Sequence, residues 1–107
     1  MTIAEPSAPS APDAELYIDR VEAADDGEVS VVVRCIEGPV RLGARFRSIP
    51  GSAAEIDLQV IRILFYRRSV TFLDPVCTAM VTLRGSGALH LHEAVFRTIR
   101  GVNPARP

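Results

Sequence analysis

Residues 29–36 read Val-Ser-Val-Val-Val-Arg-Cys-Ile, and this stretch decides the fold. Every second residue from position 29 to position 35 is apolar, whereas Ser30 and Arg34 fall on the alternate positions. Successive side chains of a β-strand point to opposite faces, so this alternation is typical of a strand with one face in a core. The stretch therefore predicts a half-buried strand.

Similar segments continue on both sides of this strand. The alternation predicts further strands over residues 16–22, 44–49, 55–66, 78–84 and 95–99, a short segment over residues 40–42, and an extended continuation of the longest strand over residues 69–73. Turn signals separate them, among them Asp25-Asp26-Gly27 and Pro50-Gly51-Ser52. In the longest segment we expect Ile56, Leu58, Val60, Leu64 and Tyr66 to share one face. Six or seven short strands without alternating helices predict an all-β protein, either a small closed or nearly closed antiparallel β-barrel or a sandwich.

The length and composition predict one domain. The chain has 107 residues, of which 48% are hydrophobic and 23% are charged, and this balance allows a packed core. Residues 1–14 are rich in Pro, Ala and Ser and lack periodicity, so we expect a disordered tail there. We expect the β-barrel domain over residues 15–100 and a flexible C-terminal tail over residues 101–107.

The sequence also predicts a cytoplasmic location. The N-terminus has no basic segment followed by an apolar stretch, as a secretion signal requires, and no apolar run is long enough for a transmembrane helix. Cys35 and Cys77 both lie in apolar strand-like segments. In a reducing compartment we expect them to be free thiols that pack as small hydrophobic residues.

Charge is distributed unevenly along the chain. Residues 1–37 hold nine acidic side chains against two arginines, net −7, and residues 38–107 hold ten arginines against four acidic side chains, net +6. This asymmetry indicates either a basic surface that meets nucleic acid or an acidic protein, or two parts that pair with each other inside one barrel.

Few residues indicate catalytic or metal chemistry. His90 and His92 would place both imidazoles on one face if residues 89–93 were extended, but no third ligand stands at a diagnostic spacing. No nucleophile signature surrounds Cys35 or Cys77. We therefore expect no metal, no cofactor and no catalytic residue, and a protein that is not an enzyme.

The arginines are the best candidates for binding. Arg62, Arg67 and Arg68 cluster around the end of the longest strand, and they would form one patch with the arginines of residues 41–47 if the two strands were neighbours. An aromatic ring beside guanidinium groups suits both nucleobase stacking and docking of an acidic protein. The candidate binding residues are Arg41, Arg45, Arg47, Arg62, Tyr66, Arg67 and Arg68.

Residues 37–46 read Glu-Gly-Pro-Val-Arg-Leu-Gly-Ala-Arg-Phe, which resembles the G-x-V-x-x-G-x-x-apolar stretch in the second β-barrel domain of translational GTPases of the elongation factor Tu type. Residues 58–63 and 79–85 are similar to two further strands of that domain. The resemblance implies a stand-alone barrel of this kind. The chain departs from the family pattern at the acidic residues 23–28 and at Val33, which replaces a Gly. It also lacks a G-x-x-x-x-G-K-[ST] motif, so we expect no nucleotide binding or GTP hydrolysis.

Three functional hypotheses follow from these observations. The first is a protein-interaction module, because a small fold without catalytic residues works through its surface. The second is an RNA-binding module related to translation factors that uses the arginines. The third is a neutralising, immunity-type partner of a toxin or enzyme. The sequence predicts no membrane partner and leaves the oligomeric state open.

Overall fold

The computed structural model of the chain describes residues 12–105. These residues form nine strands and one 3-10 helix. The strands are β1 (Ala14–Ala24), β2 (Glu28–Glu37), β3 (Val40–Arg41), β4 (Arg45–Ser48), β5 (Asp57–Phe65), β6 (Arg68–Val70), β7 (Phe72–Leu73), β8 (Thr78–Ser86) and β9 (Thr98–Val102). The 3-10 helix covers Ala88–Ala94, between β8 and β9.

Six of the described strands close an antiparallel barrel. Their order is β4-β9-β1-β2-β8-β5, and the pairing of β4 with β5 completes the ring. One edge of β5 pairs with two different strands. Its first half pairs with β4 at Leu58 and Gln59, and its second half pairs with β6 from Ile63 onward. β3 and β7 form a separate two-stranded sheet. The predicted all-β fold is therefore confirmed, and it is a barrel rather than a sandwich.

The core fills the inside of the barrel. β2 directs Val29, Val31, Val33 and Cys35 inward, as their alternation predicts, and all four side chains are buried. Phe46 of β4 is the largest of the fully buried side chains. Among residues 12–105 no polar or charged residue is buried, so the interior is held by apolar packing alone.

The predicted face of the longest strand is correct only in its first half. Ile56, Leu58 and Val60 are buried, but the register between β5 and β8 shifts between Val60 and Arg62. This β-bulge adds one residue and reverses the alternation beyond it. Ile63 is therefore buried, and the prediction that Leu64 and Tyr66 share the inner face is wrong.

The segment after β8 also differs from the sequence prediction. The structure contains a 3-10 helix over Ala88–Ala94, between the strands predicted at residues 78–84 and 95–99, where the sequence predicts no regular element. Ala88, Leu91 and Ala94 are its buried residues. Their spacing of three matches the three residues per turn of a 3-10 helix, so one row of side chains covers the core. The last strand consequently begins at Thr98, three residues later than predicted.

The end of the described chain is bound to the barrel. β9 continues through Gly101 and Val102, two residues beyond the predicted domain boundary. Of the predicted N-terminal tail, residues 1–11 lie outside the described residues, and Ala14 is buried at the beginning of β1. No helix within residues 12–105 is long and apolar enough to cross a membrane.

Candidate functional site

The fold separates the predicted arginine patch into two groups. Arg45 of β4 lies opposite Gln59, near the beginning of β5, whereas Tyr66 follows the end of that strand. Positions 59 and 66 are seven residues apart, which corresponds to roughly 23 Å at about 3.3 Å per residue. Arg62 lies between the two groups, exposed beside the bulge. The single patch expected from neighbouring strands is therefore not formed.

The first group contains Tyr66, Arg67 and Arg68, at the turn between β5 and β6. Phe65 pairs with Arg68, so Tyr66 and Arg67 alone form the loop. Their φ angles are 52° and 66°. Positive φ at both loop positions characterises a type I′ hairpin turn, which normally takes Asn-Gly or another pair that tolerates this conformation. Neither a tyrosine nor an arginine is favoured there, because the Cβ atom approaches the backbone.

This turn holds an aromatic ring in solvent. The Tyr66 side chain is 84% exposed, the highest fraction among the exposed large apolar residues described. Its ring meets the ring of Phe65 edge to face, with 4.6 Å between the centroids. Phe65 is itself half-buried and packs against the core. The exposed Tyr66 ring therefore packs against the Phe65 ring, which in turn packs against the core of the barrel.

An apolar hollow lies beside the turn. Its volume is about 190 Å³, and Phe65, Val70, Phe72, Leu73, Asp74 and Cys77 line it. Phe72 is 49% exposed at its edge. We define the hairpin surface as Phe65, Tyr66, Arg67, Arg68, Val70 and Phe72. Sequence reasoning missed Val70 and Phe72. Val70 comes beside the turn only through the pairing of β6 with β5, and Phe72 because it lines the same hollow as Phe65.

Arg67 and Arg68 of the hairpin surface, and Arg62 near it, form no ion pair within the described residues. Among residues 12–105 no carboxylate lies within 4.0 Å of a side-chain nitrogen of Arg62, Arg67 or Arg68. Exposed guanidinium groups without partners lose little on binding an external carboxylate, because no internal ion pair has to be broken first. The surface therefore combines an apolar centre with a margin in which Arg67 and Arg68 outnumber one carboxylate, that of Asp74.

The second group of arginines lies on a groove of about 610 Å³ beside β4 and β9. Here Arg45 and Arg47 share one carboxylate oxygen of Asp57, at 3.0 Å and 3.5 Å. Arg100, which sequence reasoning missed, contacts Glu15 at 3.5 Å. These three arginines therefore already form ion pairs within the chain. Because the ion pairs are exposed, each contributes little to the stability of the fold.

Arg41 has a structural contact. Its Nη2 donates to the carbonyl oxygen of Pro104 at 2.6 Å, and its backbone N–H donates to Oδ1 of Asn103 at 2.8 Å. Arg41, a predicted binding residue, therefore attaches residues 103 and 104 to β3.

The side chains with catalytic or ligating potential are not assembled into a site. His90 lies 3.3 Å from Glu93, one helical turn along the 3-10 helix, so the extended arrangement with His92 is absent. No group of three His, Cys, Asp or Glu side chains in the described part of the chain could hold a metal ion. Burial raises the pKa of the Cys35 thiol to about 11, which keeps it protonated at neutral pH and weakly nucleophilic.

The chain matches no protein-family model, no curated protein and no solved structure with which it was compared. The resemblance to the second barrel domain of translational GTPases therefore stays a prediction from the motifs. The geometry of the hairpin surface is the observation from which function can be argued.

Proposed function

We propose that this protein is a protein-interaction module that binds an acidic partner through the hairpin surface. The observation that carries the proposal is the Tyr66 ring, which is 84% exposed on a left-handed backbone beside arginines that have no carboxylate partner within residues 12–105. Placing a tyrosine in this conformation costs about 1–2 kcal/mol. A cost of this kind at an exposed position is typical of a functional site.

The composition of the surface favours a protein as the partner. Tyrosine and arginine are, together with tryptophan, enriched among the residues that dominate binding energy at protein interfaces. An apolar centre with a polar margin is also the usual anatomy of such an interface. The hollow lined by Phe65, Val70 and Phe72 would receive an apolar side chain, and the arginines would meet carboxylates around it.

A second candidate function is binding of single-stranded RNA. Tyr66 favours it, because one exposed ring beside guanidinium groups can stack a nucleobase. This alternative leaves the apolar hollow without a role. It also predicts an affinity that falls steeply with added salt.

Affinity capture from extracts of the source cells, with and without nuclease, tests the proposal. The baits are the wild-type protein, Tyr66→Asn and Arg84→Gln. Asn tolerates the left-handed conformation, so Tyr66→Asn removes the ring and retains the turn. Arg84 pairs with Glu28 at the other end of the barrel, at 3.2 Å, and serves as the matched control.

We expect one stoichiometric acidic protein that resists nuclease, is lost from Tyr66→Asn and is retained by Arg84→Gln. Capture that disappears with nuclease would favour RNA. Turnover of a substrate by the purified protein, or a partner that binds all three baits equally, would contradict the proposal.

A further inference from the structure

The groove beside β4 and β9 has a positively charged lining. Arg45, Arg47 and Arg100 line it, and no acidic residue of the described part of the chain does. Its volume of about 610 Å³ lies within the range of roughly 300–1,000 Å³ that is typical of small-molecule sites. The groove is therefore large enough for a small organic ligand, and its lining favours an anion.

A β-bulge brings two of these arginines side by side. The register between β4 and β9 shifts between Phe46 and Ser48, and Ser48 pairs with Arg100. Arg47 and Ser48 therefore both oppose Arg100, and all three side chains are exposed on the outer face of the barrel. Neighbouring strands lie about 4.8 Å apart, so two like charges lie opposite each other, which destabilises a sheet. An anion between the two guanidinium groups would offset this repulsion.

The ion pairs within the chain leave donors of these arginines available. Arg45 and Arg47 share Oδ1 of Asp57, which Arg47 contacts through Nε at 3.5 Å. Arg100 also uses Nε, at 3.5 Å from Glu15. Within residues 12–105 neither Nη1 nor Nη2 of Arg47 or Arg100 donates a hydrogen bond. Two carboxylates thus serve three guanidinium groups, and the terminal amino groups of two arginines can donate to an external anion.

The neighbouring part of the groove is uncharged. Val102 lies directly opposite Arg45 across the β4–β9 pair and is half-buried. Pro12, Gly43 and Pro104 continue the apolar lining beside it. A ligand held by the arginines would therefore extend an uncharged part over Val102 and the two prolines, and this contact would remove apolar surface from water.

A phosphate group matches the charged part of the groove best. It offers three acceptor oxygens and carries close to two negative charges at neutral pH, whereas a carboxylate offers two oxygens and one charge. The planar fork of an arginine donates to phosphate through two parallel hydrogen bonds. Two adjacent forks can therefore share one phosphate group, because three oxygens are available to them.

We propose that the groove beside β4 and β9 binds a small organic phosphate. Arg47 and Arg100 hold its phosphate group across the β-bulge, Arg45 adds positive charge beside them, and the organic part lies over Val102 and Pro104. This site is separate from the hairpin surface, so the inference goes beyond the proposed function and does not depend on it.

Titration of the full-length, ¹⁵N-labelled protein with phenyl phosphate, and separately with inorganic phosphate, tests the inference by amide NMR. Phenyl phosphate carries an apolar ring that inorganic phosphate lacks. The variants are Arg47→Gln and Arg100→Gln, which remove one fork each. Arg20→Gln is the matched control, because Arg20 also forms an exposed ion pair, with Asp19 at 3.7 Å, but does not line the groove. The spectrum of each variant without phosphate shows whether its fold is retained.

We expect phenyl phosphate to shift the amide signals of residues 45–48 and 100–104 in a saturable manner. Its affinity should exceed that of inorganic phosphate by roughly threefold or more, because the ring covers apolar surface. Arg47→Gln and Arg100→Gln should each weaken phenyl phosphate binding roughly tenfold, the loss typical of a hydrogen bond to a charged group. Arg20→Gln should leave the affinity unchanged.

Four outcomes would overturn the inference. The first is no saturable shift at millimolar phenyl phosphate, and the second is a shift confined to residues 65–70, which would place the anion at the hairpin arginines. The third is equal affinity for the two phosphates, because the uncharged lining would then have no role. The fourth is an unchanged affinity in folded Arg47→Gln and Arg100→Gln.

An acidic protein is the competing occupant of this groove. In that case Arg47→Gln and Arg100→Gln would abolish capture of the acidic partner from cell extracts, and phenyl phosphate would not bind. This result would overturn the inference. Loss of capture in Tyr66→Asn together with phenyl phosphate binding at the groove would support both proposals, and capture that is unaffected by Tyr66→Asn would refute the proposed function alone.

Discussion

Asn103 donates its side-chain amide to the carbonyl oxygen of Pro39 at 2.8 Å, and thereby joins the residue after β9 to the turn before β3. Its Oδ1 accepts the backbone N–H of Arg41 at 2.8 Å. Its own backbone N–H donates to Asp13 at 2.8 Å, just before β1. Through its side chain and its backbone N–H, Asn103 thus connects the segment after β9 with the residues at β3 and with the residue before β1.

Replacing this asparagine should loosen the connection. We expect Asn103→Ala to lower the free energy of unfolding by about 1–3 kcal/mol, because two side-chain hydrogen bonds are lost and each contributes about 0.5–1.5 kcal/mol. Urea denaturation measures the change. Asp13→Ala removes the third hydrogen bond alone and should cost less. A stability equal to that of the wild type in Asn103→Ala would contradict the role assigned to this residue.

The turn between β1 and β2 depends on one of two adjacent aspartates. Oδ1 of Asp25 accepts the N–H groups of Gly27 and Glu28, at 3.0 Å and 2.9 Å. We expect Asp25→Ala to lower the free energy of unfolding by about 1 kcal/mol, whereas Asp26→Ala, its matched control, should change it by less than about 0.5 kcal/mol. Thermal unfolding of the two variants compares them directly. Equal losses of stability in the two variants would mean that removal of a negative charge, and not loss of the turn's hydrogen bonds, causes the change.

The β4–β9 seam requires glycine at position 101. A Cβ atom there would collide with the carbonyl oxygen of Arg45 and with the Phe46 ring. We expect Gly101→Ala to destabilise the barrel by about 2 kcal/mol or more, because the obstruction is backbone. Gly27→Ala is the control, since no heavy atom lies within 4 Å of its Cβ position. Similar chemical denaturation midpoints for the two variants would contradict this account of the seam.

The strained turn predicts a gain in stability on redesign. Tyr66→Asn together with Arg67→Gly gives the loop the pair that a type I′ turn favours, so we expect a rise of about 1–2 kcal/mol in the free energy of unfolding. Arg68→Gly is the control in regular strand geometry and should cost roughly 0.5–1 kcal/mol. Calorimetry of both variants tests the assignment. A redesigned turn that lowers the Tm would show that the wild-type pair is not strained.

The buried thiol predicts a loss of stability in alkali. Burial raises the pKa of Cys35 from 9.0 to about 11, so the folded state holds the proton more tightly than the unfolded state over this interval. The free energy of unfolding should therefore fall by about 2 kcal/mol as the pH rises from 9 to 11. Cys35→Ala should lack this component, and Cys77→Ala should retain it. Equal pH profiles for wild type and Cys35→Ala would refute the assignment.

Regular alternation was sufficient to predict most of the barrel. The inward residues of β2 and β8 follow directly from period-two spacing, because both strands run without interruption beside each other. Alternation failed at Ile61, where the β-bulge contains no Gly or Pro that would indicate it. It gave no assignment for residues 88–94, where a spacing of three replaces a spacing of two. In both segments tertiary packing decides the local conformation.

The candidate site was only partly predictable for a related reason. Tyr66, Arg67 and Arg68 were identified because they are adjacent in sequence. Val70 and Phe72 were not identified, since a valine or phenylalanine in an alternating segment predicts a buried strand residue and not part of an exposed surface. Only the pairing of β6 with β5 and the hollow that both residues line place them beside the turn. Surface residues that oppose their own local preferences are visible only in the folded structure.

The closed ring also determines when the chain can fold during its synthesis. β1 and β2 are consecutive and can pair as soon as both have left the ribosome. The ring closes only through β9, which joins β1 on one side and β4 on the other. β4 therefore cannot form its pairs with β9, such as Arg45 with Val102, before β9 has been synthesised. Until then the apolar inner face of the earlier strands is exposed to water. This exposed apolar surface and the unpaired strand edges make the nascent chain prone to aggregation.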